Sequence, residues 1–142
     1  MNWTVEKDRL NQLTAFTVED LLTLTKILRC PEGCDWDRAQ THASIRECVT
    51  NEAAEVAEAI DANDAVSMKE ELGDLLFQVI FHSAIAEENG EFTLQDVVNE
   101  ICKKMLFRHP HVFAGEGEST TLFTNIAPMI IAKYDNSIAL LL

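Results

Sequence analysis

Four carboxylates recur at matched spacing in this chain, in Glu52-Ala53-Ala54-Glu55 and in Glu71-Leu72-Gly73-Asp74. Residues three apart share one face of a helix, so each pair can present its two acids together. Each acid directly precedes an apolar residue of a core stripe: Ala53, Val56, Leu72 and Leu75. That places it about 100° round the helix, on the same flank of the stripe in every case. Two such helices packed antiparallel, stripes facing, bring these flanks to one edge; packed parallel, they bring them to opposite edges. The link around Asn63 to Val66 is short, and short links join antiparallel neighbours. The four acids are therefore expected to converge at the rim of a helical hairpin. Gathered carboxylates raise one another's pKa values unless a cation or bases compensate. An all-oxygen set suits Mg²⁺, with Mn²⁺ possible, rather than zinc. The plain alternative is that the acids are the solvated faces of two surface helices.

The elements that must hold these acids carry start and stop signals. Thr17-Val18-Glu19-Asp20 has the form of an N-cap with acids in the first turn, leading into Leu21, Leu24, Ile27 and Leu28. A second helix is expected from about Thr41 to Ser44, with the stripe Ile45, Val49, Ala53, Val56 and Ile60. A third opens at Ser67-Met68-Lys69-Glu70, a capping-box pattern, carries Leu72, Leu75, Leu76, Val79 and Ile80, and ends at Gly90. Thr93-Leu94-Gln95-Asp96 opens a fourth, with Leu94, Val97, Val98, Ile101 and Met105, which Pro110 stops. No run of strands is expected. The fold class is all-α: an antiparallel bundle of four main helices over residues 1–115, followed by a weakly patterned tail at 116–142.

Composition narrows the partners. The 142 residues suffice for one domain with a real core. Twenty-four acids against eleven bases give a net charge of −13, which argues against a nucleic-acid polymer as partner. A small phosphorylated ligand remains compatible, because a divalent metal can bridge carboxylate to phosphate. No apolar run is long enough to span a bilayer, and Met1 to Gln12 lacks the form of a signal peptide, so a cytoplasmic protein without a membrane partner is expected. Cys30, Cys34, Cys48 and Cys102 are then reduced thiols. A zinc site from Cys30, Cys34, His109 and His111 lacks the usual second Cys pair or His spacing. Cys48 and Cys102 stand at apolar-periodic positions, where they are expected to pack as small hydrophobes.

Two further features bear on ligands. The segment Cys30 to Thr41, rich in Pro, Gly and acids, is expected to be a loop. Its Trp36 is either a lid on the core or a platform for a flat ligand, and the residue alone favours the lid. Lys104 and Arg108, one turn apart on the fourth helix, suit phosphate oxygens, or else complement the helix C-terminus.

Taken in order, these motifs resemble the MazG family of nucleoside triphosphate pyrophosphohydrolases, within the all-α NTP pyrophosphatase superfamily. The resemblance runs from about Asp20 to Ala114. It rests on Leu28-Arg29-Cys30-Pro31, Gly33-Cys34-Asp35-Trp36-Asp37 with Gln40-Thr41, the Glu52/Glu55 pair, Glu71-Leu72-Gly73-Asp74-Leu75-Leu76-Phe77-Gln78-Val79, and Arg108-His109-Pro110-His111-Val112-Phe113. It implies Mg²⁺ ligands at Glu52, Glu55, Glu71 and Asp74 and phosphate contacts from Lys104 and Arg108. The implied reaction cleaves the α–β phosphoanhydride of nucleoside triphosphates, giving monophosphate and pyrophosphate. A homodimer or higher oligomer is implied as well. Glu52 or Glu55 is the candidate base, and Trp36 a candidate to stack on the nucleobase.

The chain departs from the family pattern at several positions. Asn51 stands where a glutamate usually precedes Glu52, and asparagine cannot act as a carboxylate base. Asp35 replaces a usual Pro, Phe107 a frequent Arg, and Ser67 a Lys, for which Lys69 is a possible substitute. After Gly115 the expected Trp- and Lys-containing helix is absent from the sequence. The rival expectations are a pyrophosphohydrolase for dUTP, dCTP or phosphoribosyl-ATP, and a weakly active or non-catalytic nucleotide-binding or oligomerisation module. A di-iron bundle would need Glu-x-x-His pairs, and neither acid pair ends in His.

Overall fold

The computed structural model describes residues 2–113, and every regular element among them is a helix. The order is α1 (Trp3–Gln12), α2 (Val18–Arg29), α3 (Asp35–Ala39), α4 (Arg46–Asp61), α5 (Ala65–Glu88), α6 (Leu94–Arg108) and α7 (Pro110–Phe113). Two compact units divide the chain, Met1–Leu94 and Gln95–Leu142. The expected tail at 116–142 lies outside the described residues. No described helix is long and apolar enough to cross a membrane.

In the first unit, α4 and α5 form an antiparallel hairpin and α2 lies along α5. The hairpin turns through Asn63, whose φ of 51° is left-handed, a conformation Asn tolerates better than most residues. Asp64 then caps α5 by accepting from the Val66 and Ser67 N–H groups. Ser67 had been the expected cap; it instead sits in the first turn and donates its hydroxyl to Asp64. A carboxylate at the position before the helix outcompetes a hydroxyl three residues later. At the other end Gly90, with φ of 71°, closes α5 as expected.

Two apolar clusters hold the unit together. Leu22 of α2 meets Ile80, Ala84 and Leu94. Ile45, at the start of α4, meets Phe81 and Ile85 of α5, with Cys48 and Phe77 against them. Arg29 ties α2 to both neighbours. Its guanidinium holds Glu88 of α5 through two bonds of 2.8 Å, donates to the Asp37 and Gln40 carbonyls, and lies over the Phe81 ring.

Other boundaries differ from expectation for local reasons. Thr41 and Ser44 each accept the other's backbone N–H, making a separate turn, so α4 starts only at Arg46. Residues 35–39, expected as loop, form the short helix α3. It is set by Gly33, where any Cβ would collide with the Ile27 and Leu28 carbonyl oxygens. That close approach lets the Cys34 N–H reach the Leu28 carbonyl. The polar helix α1 was not expected, because among its residues only Leu10 is buried and no apolar stripe announces it. In the second unit, α6 ends at Arg108 as the proline predicted, and Pro110 then starts the single turn of α7. Cys102 of α6 is exposed rather than packed as a small hydrophobe.

Candidate metal centre

The hairpin brings three of the four acids together. One carboxylate oxygen each from Glu52, Glu55 and Glu71 lies within 4.8 Å of the other two. The reason is a rotation of both helices relative to the expected stripes. On α4 the buried and half-buried positions are Ile45, Cys48, Val49, Glu52, Val56 and Ala59, whereas Ala53 and Ile60 are exposed. On α5 they include Met68, Glu71, Leu75 and Gln78, whereas Leu72, Leu76 and Val79 are exposed. Val49 and Val56 stay half-buried and buried on α4, and Leu75 half-buried on α5, so each turn is smaller than the roughly 100° that one residue spans. The turn carries Glu52 and Glu71 from the flank of the contact into the contact itself.

Charge gathers there. Partial burial raises the Glu52 carboxyl above its ordinary pKa, helped by the Glu55 and Asp74 charges. Glu71 is raised by partial burial, then by the charge and hydrogen bond of Glu55, then by Glu70 and Asp74. Each shift disfavours the ionised form, and a bound cation would reverse both. Asp74 is exposed and lies outside the converging three, though its charge reaches two of them. An open cleft of about 400 Å³ borders the site, lined by Glu55, Glu58, Asp64, Ser67 and Glu71. Three oxygen donors on two rigid helices, open on one side, fit a hard divalent ion that keeps water or ligand oxygens in its remaining positions.

A separate hollow lies against Trp3, Lys26, Arg29 and Cys30. Its cations are already committed, Lys26 to Glu87 and Arg29 to Glu88.

The other expected site residues fall as follows. Lys104 is exposed and Arg108 half-buried, four residues apart along α6 in the second unit. Trp36 is 65% exposed, so the lid on the core is ruled out. Helix α3 packs on α2 through its backbone turn and Arg29, leaving the indole outward. Asn51 is exposed on α4 beside Glu52.

Sequence reasoning missed one polar pair, His42 and His82, whose Nδ1 atoms are 2.7 Å apart. Forty residues separate them, and no local spacing links the two. The only available signal was a histidine embedded in the apolar run of α5.

Comparisons agree with the motifs. Residues 40–113 match the MazG nucleotide pyrophosphohydrolase domain family. That stretch contains Glu52, Glu55, Glu71, Asp74, Lys104 and Arg108 but not Trp36. The nucleoside triphosphate pyrophosphohydrolase/pyrophosphatase MazG of Thermotoga maritima is 50% identical over 95 residues, covering 67% of this chain and 37% of the relative. The nucleoside triphosphate pyrophosphohydrolase of Escherichia coli K12 is 46% identical over 98 residues, covering 68% and 37%. Its Mycobacterium tuberculosis namesake is 41% identical over 86 residues, covering 59% and 26%. The chain thus spans roughly a third of the length of these curated relatives.

Proposed function

Because the chain belongs to the MazG nucleotide pyrophosphohydrolase domain family, we propose that it hydrolyses nucleoside triphosphates at the α–β phosphoanhydride, releasing monophosphate and pyrophosphate. The observation that carries this reading is the convergence of Glu52, Glu55 and Glu71 within 4.8 Å. These three would hold Mg²⁺ or Mn²⁺, with Asp74, one turn along α5 from Glu71, as the fourth acid whose charge reaches the site. The ion, when bound, offsets triphosphate charge and polarises the attacked phosphorus. Glu52 and Glu55 have oxygens to spare, and one of them accepts the proton of the attacking water. Asn51 cannot serve there, since an amide has no basic oxygen. The roles of Lys104 and Arg108 rest on the family motif: their cationic heads contact phosphate oxygens and stabilise charge on the leaving pyrophosphate. The exposed indole of Trp36 offers a face on which a nucleobase can stack.

The test is product identity. With Mg²⁺ and a panel of nucleoside triphosphates, including dUTP and dCTP, and with phosphoribosyl-ATP, the expected products are monophosphate and pyrophosphate. Lys104→Ala and Arg108→Ala should slow turnover while leaving metal binding intact. Orthophosphate release would reject the assignment. Asn51 favours a second reading, a nucleotide-binding module without turnover. Asn51→Glu separates the two: a raised rate supports a crippled enzyme, whereas tight nucleotide binding with no turnover in either form supports the module.

A further inference from the structure

We propose that His42 and His82 form a one-proton clamp that holds the start of α4 against α5 and so positions Glu52 and Glu55 opposite Glu71. The inference rests on the metal-site reading for its purpose, but not for its geometry.

The two imidazole planes lie within 5° of each other with centroids 5.0 Å apart. An Nδ1–Nδ1 line of 2.7 Å fits so long a centroid separation only if the rings lie edge to edge in one plane. They are joined by a hydrogen bond, not by a stacked contact. One nitrogen must donate and the other accept, so the line between them carries a single proton.

Burial decides which ring donates. His82 Nε2 is buried and finds no hydrogen-bond partner among the described residues. A proton on that nitrogen would be an orphaned buried donor, so His82 carries its proton on Nδ1 and donates to His42 Nδ1. His42 then bears its own proton on Nε2, which faces Glu91 Oε2 at 3.7 Å.

A second proton has only two nitrogens to enter. On His42 Nδ1 it sets N–H against N–H at the hydrogen-bonding line. On His82 Nε2 it places a buried cation where no acceptor waits. The first forfeits the shared hydrogen bond; the second keeps it but buries a charge beside an unpaired N–H, so the pair holds best with a single proton on the line. The surrounding charges do not rescue it: Arg29 of α2 is paired with Glu88 of α5 and Arg38 of α3 with Asp35, and among the described residues only Glu91 forms an ion pair with either ring. Burial, and then the neighbouring His42, hold the His82 pKa below its ordinary value.

The location explains what the clamp does. The hairpin is closed at one end by residues 62–64, and the acids repel one another along its length. His42 precedes α4, and His82 lies eleven residues beyond Glu71, roughly 16 Å along α5. With Ile45 against Phe81 and Ile85, the pair fastens the end of the hairpin that the loop leaves open. Without it, the like charges push α4 outward.

The experiment follows the full chain, free of metal, by amide exchange and imidazole NMR as the pH falls from about 7.5 to about 5.5. As the pH falls, wild-type protection at residues 46–50 should drop more than at α2. His82→Leu should lose that protection at every pH and bind Mn²⁺ about tenfold more weakly. His82→Asn keeps a donor for His42 but cannot take a second proton; it should retain wild-type Mn²⁺ affinity and a flat pH profile of protection. Unchanged protection in His82→Leu, or a pH profile in His82→Asn equal to wild type, would overturn the clamp. Failure of every form to bind Mn²⁺, with exchange responding as described, would sink the metal site and leave the clamp standing.

Discussion

Glu52 sits at a position of α4 where the helix repeat asks for an apolar side chain, and it carries a charge there among three other acids. A carboxylate so placed costs stability unless something at the site compensates. Its folded pKa is raised, so the folded state keeps a proton that the unfolded chain has already released. Without metal, the ionised group therefore weakens the fold at neutral pH. The penalty fades as pH falls through the raised value and is gone below the ordinary value of 4.5. Glu52→Gln should accordingly melt higher than wild type in metal-free buffer at neutral pH, and the gap should close toward pH 4.5. Adding Mg²⁺ should invert the order, because wild type gains binding energy that the variant has forfeited. Melting curves with and without Mg²⁺ check this. Equal Mg²⁺ shifts in both proteins would remove Glu52 from the ligand set.

Elements rather than side chains decided how far the sequence could be read. Long helices with wide apolar stripes, α2, α4, α5 and α6, were legible together with their antiparallel hairpin. The rotation of α4 and α5 was not, since Glu52 and Glu71 occupy positions that a hydrophobicity pattern assigns to neighbours such as Ala53 and Leu72. Convergence of the acids survived that error because both helices turned toward the same contact. The Trp36 lid failed because a five-residue helix cannot tuck a large side chain inward while its backbone is pinned by Gly33 and Arg29. One cap was legible outright, while that of α5 was misplaced by three residues. Thr17 and Asp20 make a full capping box on α2, with the Thr17 hydroxyl and N–H donating to Asp20 at 2.7 and 2.9 Å. Those bonds, with Arg9, hold the Asp20 carboxyl down at about 2. A depressed carboxyl contributes stability that is present above its ordinary value of 3.8 and lost as pH falls through about 2. Thr17→Ala should destabilise the chain by about 1 kcal/mol at neutral pH. In denaturant titrations the difference from wild type should shrink across that acid window; a constant difference would assign the effect to the helix backbone alone.

At the scale of the molecule, α5 has more apolar surface than its neighbours cover. One side meets α4 and another α2, yet Leu72, Leu76 and Val79 remain exposed at a helical repeat. Burying side chains of this size stabilises by about 1.5 to 3 kcal/mol each, a strong inducement to self-association through the same face of two copies. The charge of −13 per chain opposes it, because two copies repel until salt screens them. The balance predicts an oligomer whose dissociation constant falls as ionic strength rises, the reverse of an assembly held by ion pairs. Light scattering at micromolar concentration should give a mass above the 15.9 kDa of one chain. Leu76→Glu should return it to that mass with helicity retained, since the side chain already faces outward and its change disturbs neither apolar cluster. A wild-type chain that stays monomeric at every salt concentration would leave the Leu72, Leu76 and Val79 face without a role in assembly.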